Sequence, residues 1–189
     1  MHDISKISLE FTSAVEDIRQ ILLLQSQNLR STISEEESIS DGFLFVKHDP
    51  ATLLKMCEAE PAVVARYQGK IIAYALCMTR KFGSEVPELI DFFNHVHSLS
   101  YKKKLLESSA FVACGQVCVH KEFRSNHLMA DLYCKMRSLN SKYEFCITDI
   151  SSSNTRSLHA HHKVGFTTID KYINKYNEEW QIVLWEWRY

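Results

Sequence analysis

The amino-acid sequence predicts a mixed α/β fold in which helices cover both faces of one sheet. Two observations carry this prediction. Apolar runs of strand length alternate with segments whose apolar residues repeat at helical spacing. No internal repeat, low-complexity tract or linker interrupts this alternation. Strands joined by helices form parallel pairs, which we expect around residues 111–150, where an open sheet usually offers its ligand crevice.

Length and composition are those of one globular domain. The chain has 189 residues, and a usual domain has on the order of 150. Hydrophobic residues make up 46% and charged residues 24%, which argues against disorder. The 22 basic and 23 acidic residues give a net charge of −1, so no basic excess indicates a nucleic-acid partner. We therefore predict a single domain over residues 1–189.

Start signals and apolar spacing define the elements up to residue 60. Ser13 and Glu16 have the spacing of a capping box, and the apolar residues after them repeat at helical spacing. Asp49 and Pro50 are an N-cap and a first-turn residue for a later helix. In chain order we predict a strand over 4–11, helices over 14–29 and 34–40, an extended segment over 42–46 and a helix over 49–57.

A hairpin is predicted next. The apolar runs 62–67 and 71–78 are separated by Gln68-Gly69, and glycine supplies the positive φ of a tight turn. The two runs should therefore pair as antiparallel strands.

Residues 81–108 are predicted to be a helical insertion. Apolar residues at helical spacing lie between residues 89 and 99, and three lysines at 102–104 suggest a solvated helix end. Four of its side chains either line a pocket or pack inward, and we favour packing for the two phenylalanines: Phe92, Phe93, His95 and His97.

The last eighty residues are predicted to alternate strands and helices. Strands are expected over 111–119, 145–150, 166–174 and 181–188, with helices over 127–141 and 154–164. Aromatic residues at the end of the chain recur partly at period two, which is typical of a packed strand: Trp180, Trp185, Trp187 and Tyr189.

Cysteine usage and hydropathy favour a soluble, cytoplasmic protein without membrane association. No charged and then apolar leader opens the sequence, and the longest apolar run, 21–24, is far shorter than the roughly 18 residues of a membrane span. Most cysteines lie among apolar residues and are expected to be reduced core thiols: Cys57, Cys77, Cys114, Cys118, Cys134 and Cys146.

The stretch from Gly115 to Met129 carries the strongest functional signal. A buried strand leads into a short loop containing Arg124, and this loop opens a helix. Backbone N–H groups at a helix start, together with the helix dipole, form an anion site. The expected ligand is a phosphate of a nucleotide-bearing cofactor.

This stretch resembles the GNAT superfamily of acyl-CoA N-acyltransferases. Val117 and Val119 match the apolar pair of the family's strand, Arg124 the start of its phosphate loop and Leu132 an apolar position of the following helix. A second match has the spacing of the family's Asn-to-Gly-Phe helix: Asn154, Ser157, His161, Gly165 and Phe166. The order of elements is similar over nearly the whole chain. The resemblance implies a mostly antiparallel sheet with a central, splayed parallel strand pair and helices on both faces.

The resemblance also implies acetyl-CoA as co-substrate, without a metal. The pantetheine would lie between the splayed strands, and a backbone N–H near Cys118 would polarise the thioester carbonyl. Asn154 contacts pantetheine, caps a helix, or does both. The implied cofactor residues are Val117, Cys118, Val119, Arg124, Ser125, Asn126, His127, Leu128, Met129 and Asn154.

The loop departs from the family pattern in its glycines. Ser125, His127 and Met129 stand where the family usually has glycine. A non-glycine residue in the left-handed conformation costs about 1–2 kcal/mol, which corresponds to roughly five- to thirtyfold in affinity. We expect weaker but retained coenzyme A binding, with partial compensation if a protonated His127 faces phosphate. The same departure keeps open a second hypothesis, a non-catalytic GNAT-fold protein that binds a ligand or partner through this cleft.

The implied reaction is direct attack of a primary amine, of a small molecule or a peptide, on the thioester. His161 occupies the position at which many relatives have a tyrosine acid, and a histidine with a pKa near 6.5 can donate a proton at neutral pH. Asp149 is the candidate for the base or the amine contact, and His120 and Glu122 are weaker candidates.

Other interpretations have less support. The spacing of His159, His161 and His162 matches no known metal motif. A Cys118–His161 hydrolase would need a nucleophile elbow or another local signature, and the sequence has neither. The aromatic final strand is a candidate pairing edge for a homodimer.

Overall fold

A computed structural model describes residues 2–139 and 141–188 of the chain. Its helices are α1 (Val15–Ser26), α2 (Glu35–Asp41), α3 (Pro50–Ala59), α4 (Ile90–Ser98), α5 (Leu128–Met136) and α6 (Thr155–Val164). Its strands are β1 (Ser8–Thr12), β2 (Ala62–Tyr67), β3 (Lys70–Met78), β4 (Ser100–Tyr101), β5 (Lys104–Leu105), β6 (Phe111–Val119), β7 (Phe145–Ser151), β8 (Thr167–Ile173) and β9 (Glu179–Glu186).

Seven strands form one mostly antiparallel sheet in the order β1-β2-β3-β6-β7-β9-β8. The parallel pair is β6 with β7, in which Phe111–Ala113 lie opposite Phe145–Ile147. The chain between these two strands contains α5, as a parallel connection requires. The predicted mixed α/β class and the parallel pair within 111–150 are confirmed.

The chain divides into two compact units. The first comprises residues 2–34, 43–78 and 114–138, and the second comprises 35–42, 79–113, 139 and 141–188. Strand β6 contributes residues to both.

In the first unit, helices cover both faces of the strands. Side chains alternate between the two faces of a strand, and Arg66 of β2 forms ion pairs with Glu10 of β1 and with Asp17 of α1. On the opposite face, Phe11 lies beneath the ammonium group of Lys135 from α5, at 5.4 Å from the ring centroid. Helix α1 therefore lies on one face and α5 on the other.

The N-terminal elements differ in detail from the sequence prediction. Residues Ile4–Lys6 form a 3-10 turn, so that the strand predicted over 4–11 begins only at Ser8. The capping box predicted for Ser13 and Glu16 is wrong: the N-cap of α1 is Ala14, without a side-chain cap hydrogen bond. Thr12 takes over this function, because its hydroxyl accepts from the Ala14 N–H at 3.2 Å and donates to the Asp17 carboxylate at 2.6 Å.

The predicted hairpin is confirmed, and a second one replaces a predicted helix end. Gln68 and Gly69 both have positive φ, 51° and 77°, as a type I′ turn requires. Lys102 and Lys103 also have positive φ, 48° and 67°, and form the turn between β4 and β5. The lysines at 102–104 therefore belong to a hairpin. In the same insertion, the prediction of packing for Phe92 and Phe93 is confirmed, since both are buried.

Strand β9 is an interior strand of the sheet. It pairs with β7 on one side and with β8 on the other, which corrects its prediction as a pairing edge. Trp180 and Trp187 are buried, as a packed strand requires, whereas Tyr189 lies outside the described residues.

None of the six cysteines is in a disulfide bond, and five of them are buried, Cys134 being exposed. Within residues 2–139 and 141–188, no helix has the length and apolar character needed to cross a bilayer.

Candidate functional site

The loop between β6 and α5 is held in place by Arg124. Its Nε donates to the Val119 carbonyl at 3.2 Å, and its Nη2 donates to Asn28 Oδ1 at 2.6 Å. Asn126 closes the loop further, since its side-chain amide donates to the Phe123 carbonyl at 3.2 Å. The guanidinium group thus fixes the loop to the end of the strand and to the segment that follows α1.

Two of the three non-glycine residues adopt the conformation for which glycine is suited. Ser125 has φ 67° and His127 has φ 60°, whereas Met129 lies inside α5. His127 is the N-cap residue of α5 and gives no side-chain cap hydrogen bond. Both residues with positive φ are exposed, so their side chains point away from the core. The helix start therefore keeps backbone donors of the kind that bind anions.

The strand end before this loop alternates in burial. Val117 and Val119 are half-buried, whereas Cys118 between them is buried. Burial raises the pKa of the Cys118 thiol to about 12, despite the opposing effect of Arg124. A thiol with a raised pKa is a poor nucleophile at neutral pH, which argues against a Cys118–His161 hydrolase.

Helix α6 has a defined cap at each end. Asn154 Oδ1 accepts from the Ser157 N–H at 3.2 Å, which makes Asn154 the N-cap. Gly165 ends the helix with φ 121°, and a Cβ at this position would lie 2.8 Å from Trp185 Nε1. The helix capping predicted for Asn154 is confirmed, whereas its contact with pantetheine stays a prediction.

His161 lies on the buried side of α6. Only 2% of the residue is exposed, and its ring packs edge-on against Phe166. Nδ1 lies 2.8 Å from the Ser157 carbonyl, and because a carbonyl only accepts, Nδ1 carries the proton of the neutral ring. Burial lowers the pKa of His161 to about 4. The value near 6.5 assumed from the sequence is therefore wrong for the free protein, in which His161 is neutral at pH 7.

Asp149 is held by a tyrosine of another strand. The hydroxyl group of Tyr172, on β8, donates to Asp149 Oδ2 at 2.6 Å. Burial raises the pKa of Asp149 to about 6, and the hydrogen bond from Tyr172 opposes this rise. A carboxylate with a pKa close to neutrality is suited to accept a proton from a reacting group.

Two further residues complete the surroundings of Tyr172. The ring of His95, on α4, stacks on the Tyr172 ring with the centroids 4.9 Å apart. His95 Nε2 in turn lies 2.6 Å from Asp170 Oδ2, on the same strand as Tyr172. The cluster of Asp149, Tyr172, His95 and Asp170 thus joins β7, β8 and α4.

Asp149 and His161 lie on opposite faces of the strands in the second unit. Tyr172 is opposite Trp180, which is opposite Ser151, so Tyr172 shares a face with Asp149 two residues away. Trp185 is opposite Cys146 and therefore faces the other way, and it packs against Phe166 beside His161. The two predicted proton carriers do not share a face, and no proton passes directly between them.

The weaker candidates have structural contacts. His120 Nδ1 accepts from the Glu122 N–H at 3.4 Å and caps the 3-10 turn Lys121–Phe123. Glu122 lies 3.6 Å from the His2 ring nitrogen, and His2 stacks on Phe123. In the part of the chain that the structure describes, no group of three or more His, Cys, Asp or Glu side chains is arranged to hold a metal ion.

Tyr172 and Asp170 were not predicted as site residues, and His95 was predicted only as a pocket-lining or packing side chain of the insertion. Asp170 and Tyr172 are two apart in a predicted strand, and this spacing indicates a shared face. The pairing of this strand with β9 and then β7, which brings Tyr172 to Asp149, depends on contacts between segments far apart in the sequence.

The fold matches that of solved N-acetyltransferases. The ribosomal-protein-S18-alanine N-acetyltransferase from Escherichia coli has a TM-score of 0.63 and 9% identity, with 97% of this chain and 95% of that chain covered. The structure of yncA from Salmonella typhimurium, solved with its cofactor acetyl-CoA, has a TM-score of 0.62 and 14% identity, with 97% and 95% covered. Ard1 from Thermoplasma volcanium has a TM-score of 0.64 and 11% identity, with 95% and 96% covered.

The protein therefore has the fold of the GNAT N-acetyltransferases. At these identities the likeness is one of fold. No protein-family model and no curated protein matches the sequence. The fold implied by the resemblance of residues 115–129 and 154–166 agrees with the fold of these solved structures.

Proposed function

We propose that the protein is an N-acyltransferase that moves an acetyl group from acetyl-CoA to a primary amine of a small molecule or peptide. The observation that carries this proposal is the loop 124–129 on a GNAT fold. Its residues Ser125 and His127 already have the left-handed conformation for which the family uses glycine. A neighbour of the same fold was solved with acetyl-CoA, which supports this co-substrate.

The loop and the start of α5 are proposed to bind the diphosphate of coenzyme A. Backbone N–H groups and the positive end of the helix dipole favour an anion there. Because Ser125 and His127 are exposed, their side chains leave the backbone accessible. Arg124, engaged with Val119 and Asn28, would hold the loop in shape. Val117, Cys118 and Val119 are proposed to bind the pantetheine through their backbone.

Two residues are proposed to move protons. The amine nitrogen forms a bond to the thioester carbon, the carbon–sulfur bond breaks, and the amine proton passes to Asp149. The departing thiolate takes a proton, for which His161 is the candidate donor. His161 is neutral in the free protein, so it must first take up a proton from solvent. The thiolate that forms beside it raises the pKa of the imidazole and so favours this uptake, and His161 then passes the proton to the sulfur.

The first test is coenzyme A binding by thermal shift. A ligand at 100 times its dissociation constant stabilises by about 2.7 kcal/mol. Ser125→Asp places a carboxylate beside the proposed phosphate site and should weaken binding at least tenfold. Ser125→Asn is the matched control, since it has the same shape without the charge and both residues tolerate the left-handed conformation. No shift of the wild type at millimolar coenzyme A contradicts the proposal.

The second test is acetyl transfer, followed as thiol release with a panel of small amines and peptides. His161→Phe should retain coenzyme A binding and lose turnover, because phenylalanine fills the buried site without a proton to donate. Unchanged turnover in this variant eliminates His161 as the acid. Binding of acetyl-CoA without turnover of any amine identifies the alternative, a non-catalytic protein of the same fold.

A further inference from the structure

The Tyr172 hydroxyl group holds one of the two carboxylate oxygens of Asp149, a half-buried residue. Oδ2 accepts a hydrogen bond of 2.6 Å from the Tyr172 hydroxyl, and the short distance is typical of a charge-assisted bond. Asp149 as a whole is half-buried, so the residue is not sealed off from solvent. Tyr172 thus fixes one of the two carboxylate oxygens, Oδ2, within the protein.

The orientation of Tyr172 is itself determined by α4. His95 stacks on its ring with an interplanar angle of 22°, and the 2.6 Å contact between His95 and Asp170 holds the imidazole in place. A ring stack carries no proton, because it contains no hydrogen bond between Tyr172 and His95. The contacts from α4 therefore position Tyr172, and they do not form a proton relay.

We propose that Tyr172 is a positioning residue for acyl transfer, whose hydroxyl group fixes Asp149 Oδ2 and so presents Oδ1 to the substrate amine. The inference rests on the proposed function, since it assumes that Asp149 accepts the amine proton. Tyr172 on β8 is thus proposed to orient the Asp149 carboxylate, and α4 contributes because its His95 orients Tyr172. One proton moves in this step, from the amine to Asp149, and Tyr172 keeps its own proton throughout.

The charged and titratable groups near Asp149 and its partner Tyr172 lie on β8 and α4. From β8 these are Tyr172 and Asp170, and from α4 they are His95 and Asp91, while β9 presents the apolar Ile182 opposite Asp149. Burial of Asp149 raises its pKa and the Tyr172 hydroxyl group opposes this effect. Removing the hydroxyl group should therefore raise the pKa of Asp149 further.

The test combines a carboxylate titration with a pH–rate profile. In Tyr172→Phe, the carbon-13 NMR titration of Asp149, recorded without coenzyme A or amine, should move up by about one pH unit. The acidic limb of kcat/KM should move by the same amount, because that limb reports the base of the free enzyme. Asp149→Asn should lose at least a hundredfold in kcat and lose this limb.

Tyr176→Phe is the matched control. Tyr176 is 56% exposed in the turn after β8, so the same loss of a hydroxyl group should leave both measurements unchanged. A Tyr172→Phe enzyme whose titration or acidic limb coincides with that of the wild type overturns the positioning role. A wild-type protein that binds coenzyme A but acetylates no amine overturns the proposed function instead, which distinguishes the two failures.

Discussion

The left-handed conformation of Ser125 and His127 should lower the stability of the fold and not the affinity for coenzyme A. Both residues have positive φ, 67° and 60°, in a loop that Arg124 and Asn126 hold through hydrogen bonds within the protein. A conformation already present before binding lowers the stability of the fold, and it does not reduce the affinity for coenzyme A. The five- to thirtyfold loss of affinity expected from the sequence therefore becomes a loss of stability.

Restoring glycine at position 127 should change stability and leave the affinity for coenzyme A nearly unchanged. His127→Gly relieves about 1–2 kcal/mol of strain and adds about 0.5–1 kcal/mol of chain entropy in the unfolded state. We expect the free energy of unfolding to rise by roughly 0.5–1 kcal/mol and the affinity for coenzyme A to change little. For a chain of this length, each kcal/mol raises the Tm by about 2–4 °C. Thermal denaturation and a coenzyme A titration measure the two effects separately.

Met129 provides the control for this prediction. It stands at another position where the family usually has glycine, but it lies in α5. Met129→Gly should therefore destabilise the protein by about 1 kcal/mol, as glycine does within a helix. If both glycine variants shift the Tm in the same direction, the backbone conformation at positions 127 and 129 does not determine the effect of glycine on stability.

At the scale of the element, Asn154 has two separable functions. As the N-cap of α6, it uses only its side-chain oxygen, which accepts from the Ser157 N–H. A contact with pantetheine would use its side-chain N–H₂ group as well. Asn154→Ala should remove the cap and destabilise the protein by about 1 kcal/mol. Chemical denaturation measures this loss.

Asn154→Asp separates the cap from the pantetheine contact. Aspartate keeps the accepting oxygen, and its charge is favourable at a helix N-terminus, so stability should be retained. It lacks the amide donor, so coenzyme A affinity should fall severalfold if the side chain contacts pantetheine. Equal affinity in wild type and Asn154→Asp leaves Asn154 with the cap alone.

The elements that sequence analysis predicted well are those whose signals are local. Asp49 accepts from the Ala51 and Thr52 N–H groups and begins α3 where predicted, and the Gln68-Gly69 turn lies where its glycine indicates. The β4–β5 turn was missed because Lys102 and Lys103 are not residues that a type I′ turn favours. Tyr172 was missed because its partner Asp149 is 23 positions earlier in the chain.

At the scale of the whole molecule, we propose that the two compact units form a single domain. The chain passes repeatedly from one to the other, and β6 contributes to both. Neither unit is a continuous segment, so neither can be released by cutting one linker. Chain continuity of this kind favours one cooperative unfolding transition.

Two buried histidines and one carboxylate determine how this stability depends on pH. His48 accepts a hydrogen bond at Nδ1 from Gln25 Nε2 at 2.8 Å, and burial lowers its pKa to about 4, as for His161. Below pH 6.5 the unfolded chain binds a proton on each histidine and the native protein does not. Asp149 has the opposite effect on stability between pH 6 and 4. Because its native pKa is raised to about 6, the native protein binds a proton there and the unfolded chain does not.

The histidines outweigh the carboxylate, so the protein should be less stable at pH 5 than at pH 7. Linkage gives a loss of about 2 kcal/mol, since two unfolded-state protons oppose one native-state proton over this interval. Chemical denaturation at the two pH values measures it. His161→Phe removes one of the two histidines and should abolish most of the loss, whereas substituting the exposed His159 by phenylalanine should leave it unchanged. A wild type equally stable at both pH values contradicts neutral burial of His48 and His161, and with it the protonation state from which His161 must begin catalysis.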